Sequence, residues 1–192
     1  MRRLLLASSS PYRRELLSRL QLPFECCAPE IDETARPGES AEQLVRRLAE
    51  AKTRALSQSH PDHLVIGSDQ VAVLGSKILG KPQTAERATA QLMACSGSSV
   101  TFLTGIALLD SRNGQLQVDC IPFTVHFRQL DRTTIERYLA MEQPFDCAGS
   151  FKAEGLGISL FRSTEGSDAT SLIGLPLIRL VDMLLKQGIQ VP

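Results

Sequence analysis

The sequence predicts an α/β fold with a central mixed β-sheet flanked by helices, and three observations carry that prediction. Short apolar runs of strand length alternate with longer stretches whose apolar residues recur at helical spacing. Several of the helical stretches begin at a recognisable cap. Residues 100–109 and 116–127, joined through Asn113-Gly114, make the strongest hairpin signal in the chain. Interleaved strands and helices with one long antiparallel pair describe a mixed sheet. With 192 residues, 43% of them hydrophobic and 22% charged, the chain has the length and balance of a single globular domain. No repeat, low-complexity stretch or linker divides residues 1–192.

Residues 4–7 read as a short buried strand, after which Ser10-Pro11 supplies an N-cap and a first-turn proline for a helix to about residue 20. A second strand at 24–28 leads into an acidic loop at 30–38. Ser40 and Gln43 then form a capping box for a long helix ending near residue 57. Leu64-Val65-Ile66-Gly67 is a compact apolar strand expected to end at Ser68-Asp69-Gln70. Residues 71–74 and 78–79 flank Gly75-Ser76 as a small hairpin, and Thr84 starts a helix to about residue 94. After the long hairpin come a helix over 131–141, a loop, a strand over 157–161, and a closing helix to Lys186 that Gly188 stops.

Lysine plus arginine equals aspartate plus glutamate, 21 each, so the net charge is zero. That balance gives no general attraction to a nucleic-acid polymer or an anionic membrane, and any phosphate binding must be local. Met1-Arg2-Arg3-Leu4-Leu5-Leu6-Ala7 briefly imitates a signal peptide, but the apolar run stops at Ser8 and Pro11, short of the ~7–15 residues an h-region needs. No other run reaches membrane-spanning length. The five cysteines are odd in number and lack C-x-x-C or zinc spacing, which suits free thiols in a reducing cytosol and predicts a cytoplasmic protein. Cys26 and Cys27, adjacent on a strand, would face opposite ways and make a poor redox pair.

The first candidate for chemistry is Ala7-Ser8-Ser9-Ser10-Pro11-Tyr12-Arg13-Arg14, where a strand end delivers hydroxyls and backbone N–H groups to a helix N-terminus, a geometry that binds anions. Arg13 and Arg14 fall in the first turn, where the macrodipole disfavours cations; a bound phosphate would explain them, as would plain solvent exposure of a serine-capped helix. Leu44, Leu48, Lys52 and Leu56 form an i, i+4 row, so Lys52 interrupts an apolar stripe. It either snorkels at the edge of that stripe or serves a phosphate. Lys81 in Gly80-Lys81-Pro82 is equally open, and the segment lacks P-loop spacing. Asp69 directly follows an apolar strand, where open α/β sheets place ligands; it reads either as a metal-holding or water-activating carboxylate or as a turn residue. Glu30, Asp32 and Glu33 share one loop and, with Asp69, could supply the one or two oxygens that hydrated Mg2+ takes from protein. The histidines carry no metalloprotease or triad signature, and Gly155-Leu156-Gly157 is only a fragment of a dinucleotide fingerprint.

Ala7-Ser8-Ser9-Ser10-Pro11-Tyr12-Arg13-Arg14-Glu15-Leu16-Leu17 resembles the N-terminal signature of the Maf-like nucleoside triphosphate pyrophosphatases. The match continues in order through Glu30 to Glu33, Ala51-Lys52, Gly67-Ser68-Asp69, Gly80-Lys81-Pro82, Ser96-Gly97, Thr104-Gly105, Ala148-Gly149-Ser150-Phe151 and Gly174-Leu175-Pro176, which is essentially the whole chain. The resemblance implies an elongated, ITPase-like α/β domain with a substrate cleft. It also implies hydrolysis of a nucleoside triphosphate to monophosphate and pyrophosphate with a divalent cation, Mg2+ or Mn2+. By the same resemblance the catalytic aspartate is Asp69, the phosphate-binding residues are Ser8, Arg13, Lys52 and Lys81, and Glu33 joins Asp69 at the metal. A homodimer is a family-level expectation.

Tyr12, Gln70, Lys152 and Glu154 resemble the branch of that family that prefers 7-methyl-GTP, rather than the branch acting on dTTP and UTP. Tyr12, Gln70 and Glu154 are therefore the expected specificity residues, in a house-cleaning role against modified nucleotides. Ser171 stands where the family often has asparagine. Methylation at N7 makes guanine cationic, and a tyrosine face attracts such a cation by about 2 kcal/mol when water is excluded. A Glu154 carboxylate can accept from guanine N1–H and N2–H2 together, whereas a pyrimidine offers a single N3–H. The same chemistry on dTTP or UTP, and a nucleotide-sensing regulator of septum formation, are the alternatives. Neutral charge and few aromatics speak against a polynucleotide-binding module.

Overall fold

The structure, a computed structural model, describes residues 2–192. Met1, the first residue of the leader-like run, lies outside them. The strands are β1 (Arg3–Ala7), β2 (Phe24–Cys27), β3 (His63–Leu74), β4 (Lys77–Leu79), β5 (Ser99–Asp110), β6 (Leu116–Phe127) and β7 (Phe161–Gly166). The helices are α1 (Pro11–Ser18), α2 (Ala41–Ser57), α3 (Ala85–Cys95), α4 (Arg132–Glu142), α5 (Ala169–Ile173) and α6 (Leu177–Lys186), with 3-10 turns at Ala148–Ser150 and Leu156–Leu160. The seven strands form one sheet in the order β2-β1-β3-β5-β6-β7, with β4 paired to β3. β1 runs parallel to both its neighbours, whereas β4 and β7 are antiparallel to theirs, so the sheet is mixed as expected.

The chain divides into two compact units. The first comprises Met1–Gln70, Thr104–Ile121 and Asp168–Pro192; the second comprises Val71–Leu103 and Pro122–Ser167. Three of the four boundaries fall inside continuous strands, β3, β5 and β6. Strand sequence rather than Pro- or Gly-rich linker sequence therefore marks these divisions.

In the first unit the strand residues alternate between two apolar layers. Leu4, Leu6, Leu64, Ile66, Ile106 and Leu108 pack against Leu16 and Leu17 of α1 and Leu180, Met183 and Leu184 of α6. Leu5, Ala7, Val65 and Leu109 pack on the opposite face with Leu56 of α2. Each such leucine, fully buried, stabilises by about 1.5–3 kcal/mol. Two glycines bring α2 onto this second face. A Cβ on Gly67 would lie 2.2 Å from the Ala49 carbonyl oxygen, and one on Gly105 would lie 2.2 Å from that of Val45. The helix thus rests on the sheet through main-chain contact.

The second unit is organised around Phe102, Phe127, Phe151 and Phe161. Their rings meet edge to face with centroids 4.8–5.6 Å apart, the arrangement favoured by aromatic quadrupoles.

Three expectations change. The strand read as Leu64 to Gly67 is one continuous β3 to Leu74, because the polar side chains of Ser68, Asp69 and Gln70 alternate into protein partners rather than water. Residues 157–161 form no strand up to Phe161: Leu156–Leu160 is a 3-10 turn in which Gly157 and Leu160 are buried three positions apart. The apolar letters there suited either period. α1 also ends at Ser18, where Arg19 and Leu20 donate to Leu16 and Leu17 in tighter i→i−3 bonds and Gln21 turns left-handed.

Candidate active site

α2 begins at its capping box: the Ser40 hydroxyl accepts from Gln43 N–H, and the Gln43 side-chain carbonyl accepts from Ser40 N–H. Three turns on, Lys52 emerges on the face that Gly67 allows close to β3. Its Nζ donates to Asp69 Oδ1 at 2.6 Å and lies 2.8 Å from Glu33 Oε1. Lys52 is 5% exposed and Asp69 8%, so the lysine does not snorkel; it is a buried ammonium between two carboxylates. A buried charge persists only when paired, and this arrangement supplies the pair.

The loop bearing Glu33 is held by a residue the sequence did not single out. Arg47, on α2, donates through Nε and Nη2 to the Glu39 carboxylate at 2.6 and 2.8 Å, and through Nη2 to the Thr34 carbonyl at 3.1 Å. Asp32 accepts from Thr34 N–H, closing an Asx turn beside Glu33. Hydrogen bonds from Arg47 hold the Glu39 carboxyl down at about 2. An ion pair eight residues apart obeys no local spacing rule, so no signal in the sequence marks it.

Ser10 caps α1 by accepting from Arg13 N–H at 3.4 Å, and buried Ser8 accepts from Ser10 N–H at 3.1 Å. Arg13 Nε donates to the Gly174 carbonyl at 2.8 Å, just past the C-terminal, negative end of α5. That partner accounts for a cation in a first helical turn, through a bond that does not engage the two terminal guanidinium nitrogens. Burial lowers the Arg13 pKa, opposed by the negative charges of Asp69 and Glu33.

Gln70 faces away from Asp69, as strand alternation requires. Its Nε2 donates to Ser171 O at 2.7 Å, Thr104 Oγ1 at 2.9 Å and Leu172 O at 3.1 Å, so it secures α5. Ser171 turns its hydroxyl back onto the Asp168 carbonyl at 2.6 Å. Ser68 donates to both Gly105 O and Gly174 O. Tyr12 is half-buried on α1. Lys81 and Glu154 are exposed residues of the second unit, Lys81 in the loop before α3 and Glu154 in the turn before the second 3-10 segment.

Among the described residues no group of three or more His, Cys, Asp or Glu side chains is arranged to hold a metal. Glu33 and Asp69 nevertheless converge on one Nζ, and two carboxylate oxygens suit a hydrated Mg2+ that takes its other ligands from water and phosphates. Burial pushes the thiols of Cys95 and Cys120 up to about 11 and that of Cys147 up to about 12, away from the reactive thiolate.

An α/β protein with a mixed sheet, a buried Lys–Asp pair under a helix and a basic N-terminal turn is the class defined so far. Residues 3–187 match the family model described as "Maf-like protein", and the chain belongs to that family. Two Pseudomonas fluorescens proteins named 7-methyl-GTP pyrophosphatase are 73% and 72% identical to it over 189 residues, covering 98% of each chain. A solved Staphylococcus aureus Ham1 protein aligns at a TM-score of 0.49 and 12% identity, covering 66% of this chain and 72% of its own.

Proposed function

We propose that this chain hydrolyses 7-methyl-GTP to 7-methyl-GMP and pyrophosphate. The observation that carries the chemistry is the buried Lys52–Asp69 pair with Glu33 against the same ammonium. Asp69 orients a water and takes its proton as the water attacks a phosphoryl group, with Lys52 holding the carboxylate in one rotamer. Arg13, Lys52 and Lys81 neutralise charge on the pyrophosphate leaving group, and Ser8 offers a hydroxyl at the α1 turn. Bound at Glu33 and Asp69, Mg2+ or Mn2+ would add Lewis-acid neutralisation of phosphate oxygens.

Recognition of the base is assigned to Tyr12 and Glu154. The tyrosine face favours the cationic methylated ring, and the carboxylate favours the two-donor guanine edge. Gln70 enters specificity through the segment it secures, Ser171 and Leu172. The high identity to proteins named for this substrate supports the reading over dTTP or UTP hydrolysis. A cytoplasmic location and a homodimer accompany the proposal on family resemblance. No helix among the described residues is long and apolar enough to cross a membrane.

Pyrophosphate release by the purified chain with Mg2+ or Mn2+, across 7-methyl-GTP, GTP, dTTP, UTP and CTP, tests it. A strong preference for 7-methyl-GTP is expected. Preference for a pyrimidine triphosphate would overturn the assignments of Tyr12 and Glu154, and nucleotide binding without pyrophosphate release would support a sensor.

A further inference from the structure

Glu142 is placed where helix stability alone would not put it. It is the last residue of α4, whose final turn has no basic residue, and a carboxylate there opposes the helix dipole. Its side chain is only 19% exposed. Its Oε2 accepts from Leu156 N–H at 2.7 Å, and Lys152 Nζ lies 3.9 Å from its Oε1. One helical turn earlier, the Tyr138 hydroxyl accepts from Lys152 N–H at 3.1 Å. Two neighbouring side chains of one helix therefore grip both ends of the turn that presents exposed Glu154.

Gly155 completes the arrangement. A Cβ there would lie 2.8 Å from each Glu142 carboxylate oxygen, so a side chain at 155 would push that carboxylate aside. The turn is also closed on itself, with Gly155 N–H donating to Lys152 O at 3.3 Å and Gly157 so close to that carbonyl that a Cβ would lie 2.3 Å from it.

We infer that Glu142 is a positioning residue for base selection, holding the 152–157 turn, through Leu156 N–H and Lys152, in the one conformation that aims Glu154 at its ligand. The inference rests on the assignment of Glu154 to base recognition. Steady-state kinetics of the full chain on 7-methyl-GTP and UTP test it, with Glu142→Ala, Glu142→Gln, Gly155→Ala and Glu154→Gln side by side. Glu142→Ala and Gly155→Ala are expected to raise KM for 7-methyl-GTP about tenfold, the loss of one charge-assisted hydrogen bond, with kcat little changed and UTP turnover unaffected. Glu142→Gln keeps an acceptor for Leu156 N–H and should retain most of the preference. The Glu142→Ala/Gly155→Ala double variant should be no worse than either single one, because both release the same contact. Gly155→Ala removes no charge and carries the test alone if Glu142→Ala fails to fold. Loss of preference in Glu154→Gln but in neither Glu142→Ala nor Gly155→Ala overturns the positioning role and leaves the Glu154 assignment standing. Unchanged preference in Glu154→Gln overturns both.

Discussion

Asp69 and Glu154, two carboxylates assigned to one reaction, are held by opposite means. Asp69 is buried in the middle of a strand and gripped by an ammonium brought down on a seventeen-residue helix. Glu154 is exposed, and its position is set by hydrogen bonds to the backbone on either side of it. The first arrangement suits a group that must meet a water and a phosphorus at fixed distance; the second suits a group that must meet one base edge and reject others. The contrast predicts that damage to the first unit abolishes turnover or folding, whereas damage to the 152–157 turn redistributes substrates.

The sharpest way to break that contrast is Asp69→Asn. We expect turnover to fall by about 10^3-fold or more, with nucleotide binding by calorimetry largely kept. Near-normal pyrophosphate release would remove Asp69 from the mechanism. Next in size is Lys52→Met, which leaves a buried carboxylate without its ammonium; urea unfolding should show a loss of about 3–5 kcal/mol. A loss below about 1 kcal/mol, typical of a surface pair, would mean that the pair is no better than a solvated one. Gly67→Ala should cost about 1–3 kcal/mol by overpacking and lower activity as well, since it lifts α2 from β3. Unchanged stability there would contradict the close approach to Ala49.

The smallest effect is a dependence on pH. The Glu39 carboxyl, down at about 2 against an ordinary 4.5, stabilises the fold fully above 4.5, and that contribution is lost as pH falls toward 2. Arg47→Met should therefore lower the unfolding midpoint at neutral pH, by an amount that shrinks between pH 4.5 and 2. A constant difference across that range would dissociate the effect from Glu39.

Much of this was written locally. Ser40, Gln43 and the i, i+4 leucines mark α2, which the structure bounds at Ala41–Ser57. Asn113-Gly114 marks the β5–β6 turn, where Gly114 takes a φ of +74°. The sequence reads Asp69 as a residue at a strand end, yet it lies inside β3; polar residues resemble a terminus unless their distant partners are known. Lys52 interrupts an apolar row, but only the fold distinguishes a snorkelling lysine from a buried one. Arg47 and Glu142 were illegible for a common reason. Each acts on backbone groups of a loop, Thr34 O or Leu156 N–H, and backbone groups carry no sequence signature.

The bare approach of α2 at Gly67 and Gly105 has a consequence for how the chain tolerates change. Where a helix sits on side chains, each exchange of one aliphatic residue for another resets its height. Here two main-chain contacts act as spacers, so the Lys52–Asp69 separation is insulated from the volume of the surrounding leucines.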